Sequence, residues 1–309
     1  MNILTFDVEE WFHLLDFDAT RTEAEWGRYE VRIHENVERV FRILEDTDTK
    51  ATFFIIGWIA KTYPELVRKI AEKYQIGSHT MTHQLVWQQS REAFKEDVTA
   101  SIKLLEDISG KPVECFRAPG FSIRESEAWA FETLAELGIK YDSSVFPAPA
   151  SHGGMPSYGA AVPSIVEVGG VQMKEFPIPY HSFAGRHIVF NGGGYFRLMP
   201  YSIISKWTKQ CMENAGRDLT PLTGSGNVTI SPTICNEGYC LSYIHPRDLD
   251  AGQPMLEGLP ATRKFKSYVG LKGAENKLRK YLTEFKFTDI ATAEKQIDWE
   301  KVPRVKIQE

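Results

Sequence analysis

The sequence has little cysteine, no long apolar run and no cluster of positive charge. Four cysteines in 309 residues are too few for a disulfide framework and lack the paired spacing of a zinc knuckle. We interpret all four as free thiols: Cys115, Cys211, Cys235 and Cys240. A disulfide between Cys235 and Cys240 is the alternative.

No run approaches the roughly 18 apolar residues of a membrane-spanning helix. The first ten residues contain three acidic side chains where a signal peptide needs an apolar stretch. These two absences predict a cytoplasmic protein without a transmembrane segment.

The charge balance argues against a nucleic-acid partner. Lys and Arg total 36 against 41 Asp and Glu, which gives a net charge of -5 with no basic block to bind phosphates. The hydrophobic fraction of 42% is that of an ordinary globular protein, so we expect disorder only at the polar C-terminus.

Buried strands and one-sided helices alternate along the first half of the chain. Residues 3–6 and 51–56 are short apolar runs typical of buried strands. Between them, apolar residues recur from Val37 to Leu44 at the spacing of a helix with one buried face. The alternation continues to residue 142 and predicts a mainly parallel sheet, open or closed into a barrel.

The second half is less regular. Residues 147–199 are rich in Gly and Pro and predict loops and a hairpin, and a strand is predicted at residues 239–244. The stretch 224–227, Gly-Ser-Gly-Asn, predicts a flexible loop near the site or an ordinary surface turn. Without a clear linker, we expect one domain with a C-terminal extension.

The segment His79-Thr80-Met81-Thr82-His83 is a candidate half of a metal site. Two imidazoles four residues apart would face the same ion if the segment formed a helical turn. The alternative is two unrelated surface histidines, because this spacing alone is weak evidence.

Three further features place polar groups at the ends of predicted strands. Asp7, Glu9 and Glu10 follow the first strand and could supply a metal ligand and a base, or form a solvated acidic turn. Arg117 precedes a stiff turn and could hold a carboxylate, or form a surface ion pair. His245 follows the late strand and could act in catalysis, or be a buried structural histidine.

The order of these features resembles the polysaccharide deacetylases, the carbohydrate esterase group with the nodulation-protein-type deacetylase domain. The matching segments are Thr5-Phe6-Asp7, Ala51-Thr52-Phe53-Phe54, His79 to His83, Arg117-Ala118-Pro119-Gly120, Tyr141-Asp142-Ser143-Ser144 and Ile244-His245-Pro246. The resemblance implies a distorted (β/α)7-type barrel over residues 1–250, with an extension over residues 251–309 packed on it.

One subgroup of the family is more similar still. Glu175-Phe176-Pro177, the segment from Gly192 to Arg197 and the tail after His245 resemble the deacetylases of bacterial exopolysaccharide gene clusters. This extends the resemblance to about residue 290 and implies a role in exopolysaccharide biosynthesis.

The resemblance also implies catalytic roles. Asp7 is the general base, Arg117 orients Asp7, and His245 is the general acid. Together these groups would hydrolyse an N-acyl group, with acetyl expected, from an amino sugar of a polysaccharide or its precursor.

The metal ligands implied are Glu9, His79 and His83, binding Zn²⁺ or another divalent transition metal. The chain departs from the family at Val8, where most members have the aspartate that is the third ligand. We assign that role to Glu9, with Glu10 as the fallback.

Two alternative functions remain open. The same barrel could act on another carbon–nitrogen bond, such as an N-formyl sugar or a ureide. The chain could also be a catalytically silent carbohydrate-binding protein, since it lacks the aspartate at position 8 and has Trp11, Phe12, Trp58 and Trp87 as candidate sugar platforms. Neither the sugar, its carrier nor the oligomeric state follows from the sequence.

Overall fold

A computed structural model describes residues 1–183, 186–213, 227–230 and 238–308 of the chain. The strands in this part are β1 (Asn2–Val8), β2 (Thr52–Ile55), β3 (Gln75–Ser78), β4 (Cys115–Phe116), β5 (Tyr141–Asp142), β6 (Ser164–Val168), β7 (Val171–Glu175), β8 (His181–Phe183), β9 (Arg186–Ile188), β10 (Val228–Ile230), β11 (Cys240–Ile244) and β12 (Arg304–Ile307). The helices are α1 (Glu23–Trp26), α2 (Ile33–Asp46), α3 (Gly57–Thr62), α4 (Pro64–Lys73), α5 (Arg91–Ser109), α6 (Trp129–Glu136), α7 (Gly193–Leu198), α8 (Tyr201–Glu213), α9 (Ala261–Tyr268), α10 (Leu271–Glu284) and α11 (Ile290–Glu294).

Ten of the described strands form one sheet in the order β10-β12-β6-β7-β5-β4-β3-β2-β1-β11. Seven neighbours, from β7 across to β11, run parallel. These seven strands curl so that the two outer ones approach each other. The hydroxyl of Tyr239, just before β11, donates to the carbonyl of Pro177, just after β7, at 2.8 Å. The predicted α/β fold with a distorted seven-stranded parallel barrel is confirmed.

The core explains why the central strands are apolar on both faces. All seven residues of β1 are buried, as expected for a parallel sheet that is covered on each side. On one side, Val37, Val40 and Phe41 of α2 are at most 2% exposed. Phe6 of β1 stacks on Phe53 of β2 with ring centroids 5.1 Å apart.

The second half contributes more of the sheet than its sequence predicts. The expected hairpin in the irregular region is confirmed, because β6 pairs antiparallel with β7. The expected disorder at the C-terminus is wrong, since β12 lies between β6 and β10 with Val305 and Ile307 buried. A boundary near residue 250 stays a prediction.

The predictions about the cysteines and about the loop at residues 224–227 fall partly outside the described residues. Cys115, Cys211 and Cys240 are free thiols, whereas Cys235 lies outside the described residues. Residues 224–226 of the predicted flexible loop also lie outside them. None of the described helices combines the length and apolar character needed to span a bilayer.

Gly77 of β3 lies where two neighbouring strands leave no room for a side chain. A Cβ atom there would be 2.8 Å from Cδ1 of Phe54 and 2.9 Å from the carbonyl oxygen of Cys115. We expect Gly77→Ala to lower the free energy of unfolding by ~1–3 kcal/mol, because the added methyl group overpacks the sheet. Urea denaturation measures this change.

The matched control is Gly273→Ala in α10, where a Cβ atom would meet nothing within 4 Å. Alanine in an open helical position is expected to stabilise by ~0.5–1 kcal/mol. Equal stability of Gly77→Ala and the wild type would contradict the close strand packing.

Candidate active site

Four parallel strands deliver polar side chains to one edge of the sheet. Asp7 and Glu9 stand at the end of β1, His79 follows β3, Arg117 follows β4 and His245 follows β11. The carboxyl ends of parallel strands meet at the same edge, so these residues converge although they are far apart in sequence. The catalytic residues and metal ligands assigned from the sequence lie in this one cluster, whereas the fallback ligand Glu10 does not.

Glu9, His79 and His83 form a group that could hold a metal ion. Oε1 of Glu9 lies 3.3 Å from Nε2 of His79 and 3.0 Å from Nε2 of His83. Burial alone raises the pKa of Glu9, but the neighbouring imidazoles of His83, His245 and His79 bring the pKa well below its ordinary value. The carboxylate is therefore ionised.

The tautomer of His79 tests whether a cation fits. Nδ1 of His79 lies 2.7 Å from the carbonyl oxygen of Arg117, so Nδ1 donates its hydrogen there and Nε2 is the nitrogen that faces Glu9 and could bind an ion. Burial lowers the pKa of His83, which keeps the second imidazole neutral. Two imidazole nitrogens around one carboxylate oxygen are the donor set of a divalent transition metal.

The segment between the two histidines is a loop and not the helical turn that their spacing would suit. Thr80 and His83 have positive φ angles of 65° and 57°. The loop is fixed from within and from outside: Oγ1 of Thr80 accepts the N–H of His83 at 2.9 Å, and Asp97 of α5 accepts two further loop N–H groups at 2.6 and 3.1 Å. Strained backbone thus brings His83 beside His79.

Glu10, the fallback ligand, lies in a different place. Its Oε1 accepts the backbone N–H groups of Arg32 and Ile33 at 2.8 and 2.9 Å, at the N-terminus of α2. Burial raises the pKa of Glu10 to about 7 against these hydrogen bonds. Glu10 therefore caps a helix, and Glu9 alone of the pair faces the two histidines.

Arg117 is fully buried and holds Asp7. Its Nη1 donates to Oδ1 of Asp7 at 2.7 Å and to the hydroxyl of Thr5 at 2.8 Å. Nε and Nη2 donate to the carbonyl and the hydroxyl of Ser143 at 3.0 and 2.8 Å. With Oδ1 engaged in this way, Oδ2 of Asp7 is left on the side of His245.

His245 lies across from Asp7. Its Nε2 is 4.0 Å from Oδ2 of Asp7 and 3.6 Å from Oε1 of Glu9, and its Nδ1 is 2.9 Å from Oδ2 of Asp248. Burial alone lowers the pKa of His245, but the carboxylates of Glu9 and Asp248 raise it above its ordinary value. The arrangement favours a protonated imidazole with Nε2–H directed into the site.

Asp248 and its own partner, Arg197, are absent from the sequence-based site. Nε of Arg197 lies 2.9 Å from Oδ1 of Asp248, and both side chains are about 5% exposed or less. The spacing of three residues between His245 and Asp248 was the available signal, since it suits a tight turn in which each residue bonds the other's backbone. Nothing in the sequence pairs Arg197 with this turn.

A pocket of about 460 Å³ opens above the cluster. Asp7, Glu9 and the site histidines line its base, and its walls include Tyr195, Tyr243, Arg247 and Arg263. This volume is that of a small-molecule site. No pattern in the sequence marks these wall residues as part of the site.

Residues 4–141 match the family described as polysaccharide deacetylase. The first part of the chain is therefore a polysaccharide deacetylase domain, which makes up slightly less than half of the residues. Residues 143–220 and 228–295 match a second description, a domain of unknown function, DUF3473. The site described above therefore combines both regions, because Asp7 to Arg117 lie in the deacetylase segment and His245 lies in the second one.

Two curated relatives resemble part of the chain. A Bacillus cereus protein named peptidoglycan-N-acetylglucosamine deacetylase is 33% identical over 103 residues, which is 33% of this chain and 46% of that protein. An Azorhizobium caulinodans protein named chitooligosaccharide deacetylase is 37% identical over 82 residues, 26% of this chain and 39% of that protein. The chain thus spans less than half the length of either relative.

A solved structure resembles nearly the whole chain. A Mycobacterium smegmatis protein, described as a candidate polysaccharide deacetylase, aligns with a TM-score of 0.61 at 18% identity, over 97% of this chain and 91% of that one. The fold of the polysaccharide deacetylases therefore extends through the region beyond residue 141.

The segment Tyr141-Asp142-Ser143-Ser144, one of the family-like motifs, leads to a buried pair of carboxyl groups. Asp142 and Glu175 are both fully buried and within hydrogen-bonding reach of each other. Oε2 of Glu175 has no donor partner, although its Oε1 accepts the N–H of Val145 at 3.1 Å. Burial and the charge of Asp142 raise the pKa of Glu175 well above its ordinary value, so Glu175 keeps a proton and donates it to Asp142.

We expect Glu175→Gln to change how stability depends on pH. When folding raises the pKa of a carboxyl group, that group stabilises the folded protein at pH values below its pKa in the unfolded chain, about 4.3. This stabilisation is lost as the pH rises towards the pKa of the group in the folded protein. Glutamine can donate to Asp142 at every pH, so the variant should gain stability relative to the wild type between pH 5 and 8. Urea denaturation across this range measures the difference.

The control is Glu167→Gln, which removes a partly exposed carboxylate paired with Arg304. Its stability relative to the wild type is expected to stay constant over the same range. Parallel pH profiles for Glu175→Gln and the wild type would show that Glu175 is ionised in the folded protein.

Proposed function

We propose that the protein is a metal-dependent amide hydrolase that removes an N-acyl group, acetyl in the first instance, from an amino sugar. One observation carries the proposal. A donor set suited to a divalent metal, Glu9 with two histidines, lies in the same pocket as a carboxylate and an imidazole that are each held by a buried, charged partner. Zinc is the metal we assign, from the two imidazoles and one carboxylate.

Asp7 supplies the base. Its Oδ1 is engaged by Arg117, so Oδ2 is available to take the proton from the attacking water. The guanidinium also fixes the orientation of this carboxylate, because the same Nη1 donates to the hydroxyl of Thr5. When bound, a divalent metal polarises the acyl carbonyl and makes water a stronger acid.

His245 supplies the acid. An amine is a poor leaving group until its nitrogen is protonated, and Nε2 of His245 lies across the site from Oδ2 of Asp7. Asp248 holds Nδ1 and Arg197 holds Asp248, so the imidazole is oriented by a chain of two ion pairs. In the proposed reaction, Asp7 would accept the proton of the attacking water and His245 would donate one to the departing amine.

The substrate class rests on the two curated relatives, whose names specify an N-acetylglucosamine polymer and a chitooligosaccharide. We extend to this chain only the common element, an N-acetylated amino sugar of a polysaccharide or its precursor. Membership of the exopolysaccharide subgroup and the cytoplasmic location stay predictions of the sequence.

Two alternative functions are another carbon–nitrogen substrate and catalytically silent binding of carbohydrate. An N-formyl sugar or a ureide would use the same residues, so a parallel assay of N-acetyl sugar, N-formyl sugar and allantoin decides between the three substrates.

For a silent carbohydrate-binding protein, the aromatic residues offer little support. Trp11 and Phe12 are core residues and Trp58 is half-buried, which leaves Trp87 as an exposed ring. The paired base and acid favour an enzyme.

The first test is acetate release from N-acetylhexosamine oligosaccharides. We expect activity in the purified enzyme, loss after treatment with a chelator, and recovery when Zn²⁺ is restored. Release that persists in metal-free protein would exclude the metal-dependent reaction. A protein with one bound metal and no release from any N-acyl sugar would favour the silent alternative.

Substitutions separate the metal ligands from the acid and base. Asp7→Asn and His245→Ala are expected to retain bound zinc and to lower kcat by ~10²- to 10⁴-fold, the usual contribution of a general base or acid. His79→Ala is expected to lose both zinc and activity. Metal content by elemental analysis and initial rates of acetate release measure the two effects.

Asp298→Asn is the control, because Asp298 lies in an exposed pair with Lys301 far from the site. Full activity in Asp7→Asn or in His245→Ala would refute the corresponding role.

A further inference from the structure

Two arginines in the pocket wall have side-chain donors without partners. Arg247 follows His245 in the turn after β11, and Arg263 lies on α9. Both side chains are largely buried, at 15% and 24% exposed. The Nε–H of each is buried and has no hydrogen-bond acceptor among the described residues.

The ion pairs of the two arginines leave most of their hydrogen-bonding capacity free. Nη2 of Arg247 is 4.0 Å from Oε2 of Glu9, which is too long for a hydrogen bond, and Glu9 is already engaged with the histidines. Nη2 of Arg263 pairs with Asp16 at 2.8 Å. A guanidinium has five N–H donors, so both groups can receive additional acceptors.

The two guanidinium groups also repel each other. Burial lowers the pKa of Arg263 and Asp16 opposes this, while the nearby charge of Arg247 lowers the pKa further and Glu9 opposes it. Two like charges held together in a partly desolvated wall are unfavourable unless an anion lies between them. The carboxylates that line the pocket are Asp7 and Glu9, and both have other partners.

We propose that Arg247 and Arg263 form an anion subsite that selects an N-acyl amino sugar carrying a carboxylate or phosphate group. This inference rests on the proposed function for the position of the acyl group at the base of the pocket. The planar fork of arginine matches the paired oxygens of both anions. The pocket, at about 460 Å³, has room for a substituted sugar.

A comparison of charged and neutral sugars tests the subsite in the zinc-loaded enzyme. N-Acetylmuramic acid supplies a carboxylate, N-acetylglucosamine 6-phosphate and UDP-N-acetylglucosamine supply phosphate at different positions of the ring, and N-acetylglucosamine is neutral. We expect kcat/KM for at least one acidic sugar to exceed that of the neutral sugar by about 10- to 100-fold, the range for charge-assisted hydrogen bonds. The arm with the larger preference identifies the anion.

The arginines are tested with Arg247→Gln, Arg263→Gln and the double variant. The double variant is expected to lose the preference chiefly through a higher KM for the acidic sugar, so that the ratio of kcat/KM for the acidic sugar to kcat/KM for the neutral sugar falls towards one. Arg247→Lys and Arg263→Lys keep the charge without the fork and should retain an intermediate preference, which also covers the case of a glutamine variant that fails to fold. Arg279→Gln is the control, because Arg279 pairs with Asp46 and Glu275 on the surface.

Binding of deacylated sugars separates this inference from the proposed function. Calorimetry with muramic acid, glucosamine 6-phosphate and glucosamine reports on the subsite without turnover. Arginine-dependent binding of an acidic sugar in a protein that releases no acyl group would retain the subsite and reject the hydrolase. Equal turnover of neutral and acidic sugars, or a preference that survives in the double variant because the anion binds the metal, would overturn the subsite and retain the hydrolase. Absence of arginine-dependent binding of every acidic probe would likewise overturn it.

Discussion

The buried guanidinium of Arg117 is the interaction on which the rest of the site depends. A charge with no exposure to water is tolerated only when its donors are satisfied, and this one bonds Asp7, Thr5 and both polar groups of Ser143. These partners lie on β1 and just after β5. The same residue offers its backbone carbonyl to His79, so one position fixes both the base and the tautomer of a metal-type ligand.

Val8 does not take the role that the family pattern gives to an aspartate at this position, because its side chain lies in the core of this chain. Side chains on a strand alternate between the two faces, so the neighbour of Asp7 points away from the site. Val8 is fully buried in the core, whereas Glu9, one residue further, returns to the side of Asp7. The longer carboxylate of Glu9, placed just beyond the strand, reaches the two histidines.

Much of this site was predictable because it depends on strand ends. Apolar runs locate the strands, parallel pairing brings their ends together, and polar residues at those ends become candidates. The path of the chain between His79 and His83 was not predictable in this way, since a spacing of four residues suits a helical turn and the loop depends on Asp97 of α5. Arg197 was missed for a related reason, because its contact with Asp248 joins segments that no periodicity connects. The C-terminal strand β12 was missed because a polar sequence forms a strand here only by pairing with two others.

The position of β1 in the sheet has a consequence for how the molecule reaches its folded state. β1 pairs on one side with β2, close in sequence, and on the other with β11, where Asn2 lies opposite Cys240. Closing so long a loop costs more chain entropy than forming the neighbouring pairs, so the acid-bearing strand is expected to dock late and folding to be slow. Before β11 docks, the edge of β1 has no partner strand. A fragment limited to residues 4–141 would lack β11 and would also lack β7, the strand that pairs with β5. Residues 4–141 therefore match the family in sequence but lack strands that the folded sheet requires.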